Sequence, residues 1–501
     1  MTTVHFPALI VVTPLIASFI VFAVGWFDRR YCFPLVIIAL TACLVFAIGL
    51  LGNVVSTGTA VHYYMGAWLP PWGIEYVVDH LNALILLAIA VIALLSAVYS
   101  RSMAAREFPQ AKLPQLYTLY LLQVTGLFGI TITGDVFNLY VLVEIASFSA
   151  YAMIAMGERG AAFAAFRYMI FGTIGACSYM LGVGYLYILT GSLNMADLNQ
   201  LLPALYQSKA LLAGFSLLIV GIAIKMALFP VHTWLPDSYT LAPSSVSVLL
   251  APLSTKVGAY VLIRILLSVF NAPFYTSLYP AAPMLGWIAA TGVLFASFLA
   301  IAQSDLKRML CYLIVCEIGY IVIGISSSNR LGLTGALLHL VNDMFMMACL
   351  FAVTGIIYAH ARTRNMYELR NLHRTLPLTM AVFVTGALAV IGVPPLCGFF
   401  SKWYLVLGAI QAQQWFFVFV ILMSSLLNTV LFFRIIEQVY FPPREAIPAG
   451  HADHDTPFRL DPVPMGELIP AACLACFLIL LGVFSNMLIT RFISRAIPGT
   501  F

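Results

Sequence analysis

Residues 221–264, GIAIKMALFPVHTWLPDSYTLAPSSVSVLLAPLSTKVGAYVLIR, place two lysines, Lys225 and Lys256, inside apolar runs. A cation at membrane depth costs roughly 2.5–3.5 kcal/mol on insertion scales, so each lysine needs a reason. Between them Pro230, Pro236 and Pro243 interrupt what would otherwise read as two membrane helices, because proline lacks a backbone donor and clashes with the preceding turn. Such breaks persist only where the freed carbonyls meet protein or water. An intramembrane lysine beside a proline break points to an ion path near the bilayer midplane.

Other charges in apolar segments form a pattern with these two. Glu144, Lys225 and Lys256 recur in type, order and approximate spacing as Glu317, Lys402 and Arg434, and Lys402, like Lys225, stands beside a proline break, here Pro394-Pro395. Asp343 lies one turn from His339, and Glu437 one turn from Arg434. A desolvated lysine releases its proton more readily, and a nearby carboxylate reverses that. Movement of Glu144 relative to Lys225 can therefore switch the lysine between holding and releasing a proton, with Lys256, His339 and Lys402 as onward stations. The competing reading makes Glu144–Lys225 and Glu317–Lys402 structural ion pairs. Asn342 and Asp343 read equally as polar glue between helices. His232, just after Pro230, reads as a relay member or an interfacial anchor, and Arg264 as a snorkelling side chain.

The elements that must position these residues are membrane helices. Of 501 residues, 62% are hydrophobic and 9% charged, against about 25% charged in soluble domains. The net charge of +5 is spread over loops, with no basic block for nucleic acid. Spanning-length apolar segments fall at 6–27, 33–51, 81–100, 113–133, 137–156, 163–189, 210–229, 242–267, 285–302, 309–326, 331–358, 376–410, 415–441 and 467–489. We number them helices 1 to 14. Helix 1 reads as a retained span because no basic residue precedes it and no cleavage site follows. The fold expected is an all-α polytopic membrane protein of about 14 helices, with helices 7 and 12 broken. The charge pattern makes helices 4–8 and 9–13 two five-helix repeats, and an odd helix count inverts the second copy. The units expected are 1–112, 113–270, 271–441, a loop 442–466, and 467–501.

Loops after odd-numbered helices hold fifteen Lys and Arg, Lys307 and Arg308 among them, whereas loops after even-numbered helices hold only Lys209 and Arg330. The positive-inside rule then makes the odd loops cytoplasmic and puts both termini outside. The polar stretch 442–464, with His451 and His454, becomes a cytoplasmic linker.

Enzyme chemistry finds no support. The nine cysteines lie mostly in apolar segments and form no disulfide frame, and the CxxC of Cys473 and Cys476 lacks the second pair that a zinc site needs. No dinucleotide fingerprint, haem-spaced histidine pair or nucleophile with a nearby base is evident. No catalytic residue, metal or cofactor is expected.

Four motifs carry a resemblance: GDVFNLYVLVEIASFSAYAMIA (134–155), the run 225–264, SDLKRMLCYLIVCEIGYIVIGI (304–325) and GVPPLCGFFSKWYL (392–405). They resemble the proton-translocating membrane subunits shared by respiratory complex I and Mrp-type multisubunit cation/proton antiporters, over roughly 72–441. Lys402 after the PPLCGFF turn, and a chain that ends soon after helix 14, make the D-type subunit of Mrp antiporters the most similar member. The resemblance implies a subunit that exchanges protons for Na+ or K+ in a bacterial or archaeal cytoplasmic membrane, with other membrane subunits as partners. A redox-driven complex, of the complex I or membrane-bound hydrogenase kind, is the alternative. It further implies Glu144 and Lys225 as a coupled pair, Lys256 as central relay, His339 as bridge and Lys402 as terminal proton site. Tyr239 stands where the superfamily often has histidine, Met346 where it often has lysine, and Glu317 where histidine or glutamine is commoner. The missing lysine at Met346 leaves Glu317 or Asp343 to carry the path across helix 11.

Overall fold

The computed structural model describes residues 4–158, 160–441 and 463–497. Most of the expected 442–466 loop, His451 and His454 included, lies outside them.

Twelve helices of the described residues are long and apolar enough to cross a membrane. Helices 1 to 6 are Phe6–Phe27, Cys32–Thr57, His80–Glu107, Leu113–Ile132, Val136–Ala155 and Ala161–Thr190. Helix 8 is Ser244–Arg264, and helices 9 to 11 are Ala281–Ile301, Leu306–Ser326 and Arg330–Ala361. Helices 13 and 14 are Trp415–Tyr440 and Met465–Val483. The remaining two crossings are broken: helix 7 into Lys209–Lys225 and Trp234–Leu241, helix 12 into Pro377–Ile391 and Cys397–Gln411. Fourteen crossings result, as the hydropathy and loop charges predict. The hairpin Val61–Tyr64 with Glu75–Val78, between helices 2 and 3, is an addition to that expectation. Its strands are too short to register against the surrounding apolar runs.

The repeat is visible in the backbone. Asp135 caps helix 5 by accepting from Phe137 N and Asn138 N, and forms an isolated antiparallel bridge with Asn194 beyond helix 6. Asp305 caps helix 10 by accepting from Arg308 N, and forms the same bridge with Asn365 beyond helix 11. Leu193 O accepts from Val136 N at 2.9 Å, as Arg364 O does from Leu306 N at 2.9 Å. Five crossings separate the two bridges, so they lie on opposite membrane faces and the second copy is inverted.

Each proline has a local resolution. Pro236 occupies the first turn of Trp234–Leu241, where no donor is needed, and Pro243 immediately precedes helix 8. Pro252 sits inside helix 8 and frees the carbonyl of Val248, which accepts from Ser96 Oγ of helix 3 at 3.2 Å. Pro14 inside helix 1 frees Ile10 O, which Cys43 Sγ of helix 2 approaches at 3.7 Å. At the helix 7 break, Trp234 Nε1 donates to Ile224 O at 3.0 Å, and at the helix 12 break Lys402 Nζ donates to Val390 O at 2.7 Å. These bonds meet the demand that no carbonyl be left bare in hydrocarbon.

Burial ranks the helices. The most apolar stretch of helix 11 is 100% buried and that of helix 10 is 94%, against 33% for helix 1. Helix 11 is thus enclosed on every side, and it carries His339, Asn342 and Asp343. It packs on helix 8 of the first repeat and on both halves of helix 12 in the second.

Helix 12 depends on close approach at Gly398, where an added Cβ would stand 1.9 Å from Ala389 O, a backbone atom that cannot swing away. Gly398→Ala is expected to destabilise the protein by about 1–3 kcal/mol, read as a lower melting temperature in detergent. Gly184→Ala, where an added Cβ meets nothing within 4 Å, should leave that temperature unchanged.

Candidate functional site

Helix 5 presents Glu144, and the first half of helix 7 ends on Lys225. Lys225 Nζ lies 3.0 Å from Glu144 Oε1 and donates to Ser147 Oγ at 2.8 Å. Ser147 is one turn along helix 5 from Glu144, so one helix face supplies both partners. Beyond Lys225 lies a cavity of about 40 Å³ bounded by Ser147, Gln123, Tyr168 and Ser254. Such a volume suits water, which needs roughly 10–15 Å³ of accessible space per molecule. Gln123 Nε2 donates to Ser254 Oγ at 3.3 Å. The Gln123 carbonyl oxygen is buried with no hydrogen-bond partner among the described residues.

On helix 8, two residues past Ser254, Lys256 is fully buried and its Nζ lies 3.1 Å from Asp343 Oδ2 of helix 11, also fully buried. This pair joins the two repeats. One turn away on helix 11, His339 Nε2 lies 2.7 Å from Glu317 Oε2 of helix 10, again with both side chains fully buried. His339 Nδ1 is 2.9 Å from Ser401 Oγ, the residue preceding Lys402. Lys402 Nζ donates to Val390 O at 2.7 Å and to Ser425 Oγ at 3.3 Å, and lies 4.9 Å from the centroid of the Tyr320 ring. Glu317 thus stands within the fields of Lys402, His339 and Lys256 together. Titratable side chains form a line across the molecule from helix 5 to helix 12, in the order Glu144, Lys225, Lys256, Asp343, His339, Glu317 and Lys402. Contacts of this kind between acids and bases permit proton transfer, and the hydroxyls beside them can relay it.

Several expectations require correction. Glu317 pairs with His339, not Lys402, because Lys402 reaches back across the break to Val390 O. Arg434 is not the counterpart of Lys256: it lies on the exposed side of helix 13, its guanidinium 4.9 Å from the Tyr367 ring centroid, and Glu437 is exposed beside it. Both belong to the last turns of a peripheral helix, where charges reach water without cost. Arg264 does not snorkel; it pairs with Asp79 at 2.6 Å and donates to the Tyr260 hydroxyl at 2.6 Å. His232 is buried in the helix 7 break and stacked on Phe229, so it is no interfacial anchor, and it joins none of the ion pairs. Asn342 donates to Cys397 O at 2.8 Å and ties helix 11 to the second half of helix 12. Lys307 is not a loop residue: it is the second residue of helix 10 and is buried.

Ser147, Gln123, Tyr320, Ser401 and Ser425 join the site without a counterpart in the sequence reading. A small polar residue within a turn of an intramembrane charge, as Ser147 and Ser401 are, was the available signal. Met346, where the resemblance leads one to look for a lysine, is fully buried against the start of the second half of helix 12 near Gly398.

The family model described as NADH:quinone oxidoreductase/Mrp antiporter, TM, matches residues 133–428. The NADH-quinone oxidoreductase subunit N of Desulforudis audaxviator is 42% identical over 501 residues, covering 99% of each chain. The D-type subunit of the Na(+)/H(+) antiporter of Bacillus subtilis is 29% identical over 436 residues, covering 87% of this chain and 85% of its own. A chain of the membrane-bound sulfane sulfur reductase, an archaeal respiratory membrane complex, superposes with a TM-score of 0.88 at 29% identity over 98% of this chain and 97% of that one.

Removing one member of a buried ion pair leaves an uncompensated charge at about 3–5 kcal/mol, whereas replacing both can be neutral. Asp343→Leu alone should therefore lower stability by about that amount. The double variant Asp343→Leu with Lys256→Met should recover most of it, measured by unfolding in detergent.

Proposed function

The chain belongs to the NADH:quinone oxidoreductase/Mrp antiporter transmembrane family, and on that premise we propose that it is the proton-translocating subunit of a multisubunit antiporter exchanging protons for Na+ or K+. The observation that carries this reading is the line of half-buried and buried acids and bases from Glu144 to Lys402. Charges in hydrocarbon are costly, and here they follow one another across the membrane plane, each near a hydroxyl, a carbonyl or a cavity of water size.

In this reading Lys225 is loaded when Glu144 is close and unloaded when Glu144 withdraws, because the carboxylate stabilises the ammonium. The proton crosses the small cavity by Gln123 and Ser254 to Lys256. Asp343 holds Lys256 until His339 and Glu317 accept, and Lys402 delivers at the far end. Glu317 takes the place of the missing helix-11 lysine by supplying a proton acceptor within the fields of both Lys256 and Lys402. The side rich in Lys and Arg faces the cytoplasm and both termini face outward. Other membrane subunits cover the apolar outer helices, and the cation crosses here or in one of them.

A second reading has support of its own, the 42% identity to a chain named NADH-quinone oxidoreductase subunit N. In it the same relay is driven by electron transfer in partner subunits. The two are separated by purifying the tagged chain gently from its native membrane and recording its partners and visible spectrum. Small hydrophobic subunits and a featureless spectrum support the antiporter. Flavin or iron–sulfur bands overturn it in favour of a redox-driven pump.

Glu144→Ala, Lys225→Ala and Lys402→Ala should each abolish proton flux in vesicles while the complex still assembles. Loss of assembly in all three would return these residues to the role of structural ion pairs.

A further inference from the structure

Lys307 is a buried lysine that the path above does not use. It sits in the first turn of helix 10, where the helix dipole opposes a cation, and it is 4% exposed. No carboxylate of the described residues lies within ion-pair distance of it, unlike Lys225 and Lys256. Its ammonium donates to the carbonyl of Ala242, the residue joining helices 7 and 8. The repeat does not require it, since the matching position after the Asp135 cap is the exposed Phe137. Burial, dipole and missing counter-ion all count against this lysine.

Ala242 divides two polar regions. On one side it walls a cavity of about 230 Å³ that also takes in Glu107, Lys112, Glu158 and Arg364, all from the Lys/Arg-rich side of the membrane, with Lys112 and Glu158 exposed. On the other, Ser247 Oγ lies 3.4 Å from both Ala242 O and Tyr239 O. The Tyr239 hydroxyl adjoins Ser254, which borders the cavity beside Lys225. We propose that Lys307 is the proton-exchange residue at the mouth of the path: its amine takes a proton from water in the 230 Å³ cavity and passes one to the hydroxyls of Ser247, Tyr239 and Ser254, toward Lys225. The charged and titratable groups facing it are Glu107 of helix 3, Arg364 beyond helix 11, and Asp305 and Cys311 of its own element. The assignment rests on the chain being a proton-translocating subunit.

Arginine keeps the charge and the donors but does not release a proton, whereas histidine titrates at lower pH than lysine. In vesicles containing the assembled complex, Lys307→Arg should lower proton flux at least tenfold. Lys307→His should keep measurable flux with its pH optimum moved to lower pH. Wild-type flux in Lys307→Arg, an unmoved profile in Lys307→His, or abolished flux in both assembled variants would each overturn the assignment and make Lys307 a tether between helix 10 and the helix 7–8 joint. Flux retained in a parallel Lys225→Ala complex would instead overturn the proton-translocating reading itself.

Discussion

Charge balance in hydrocarbon is the constraint on which the rest of this structure depends. Lys256 and Lys402 bring two cations to membrane depth, and Asp343 and Glu317 bring two anions. Each group alone would cost several kcal/mol, and removing any one leaves another uncompensated. The four must therefore be gathered from helices 8, 10, 11 and 12, and only a helix enclosed on all sides can hold the acids and bases together. Helix 11 is that helix. Its apolar residues all round mark it as buried, and its polar cluster from His339 to Asp343 meets partners on helices 8, 10 and 12.

The second constraint is the backbone at the breaks. Interrupting a membrane helix frees carbonyls that only protein or water can satisfy, and the two repeats solve this differently. In helix 7 the lysine lies five residues before Pro230, and an indole from beyond the break caps the neighbouring carbonyl. In helix 12 the lysine lies beyond Pro395 and caps, with its own ammonium, the carbonyl five residues before that proline. The charge therefore ends on the same side of both breaks although it arrives from opposite half-helices. Symmetry of charge position is kept without symmetry of sequence position.

The same distinction separates the two kinds of buried polar group. Asp79 with Arg264, and Asp135 and Asp305 at their helix starts, fix the frame: each carboxylate accepts from backbone donors at a helix N-terminus, where the dipole favours it. The groups from Glu144 to Lys402 cap no helix start: their partners are other titratable side chains and hydroxyls, with Lys256 and Lys402 also donating to the carbonyls of Ala251 and Val390. A frame of capped termini surrounding a line of titratable groups is what the proposed relay would require.

Much of this was legible without coordinates, for reasons that are local. Fourteen crossings follow from runs of apolar residues, because a bilayer demands about 20 of them per helix, and sidedness was expected from loop charge. Breaks in helices 7 and 12 follow from proline, and Glu144 with Lys225 from the cost of burying either alone. Partner choice was not local. Nothing in the spacing distinguishes Glu317–Lys402 from Glu317–His339, or excludes Arg434 from the interior, because a membrane helix offers the same apolar background on every face and only packing decides which face is enclosed. Lys307 shows the limit most plainly: in sequence it is one of two basic residues in a polar turn, and only the docking of helix 10 against the helix 7–8 joint takes it out of water. The chain alone marked which charged residues fall in apolar runs, and the tertiary structure decided which charges are buried and which partners they share.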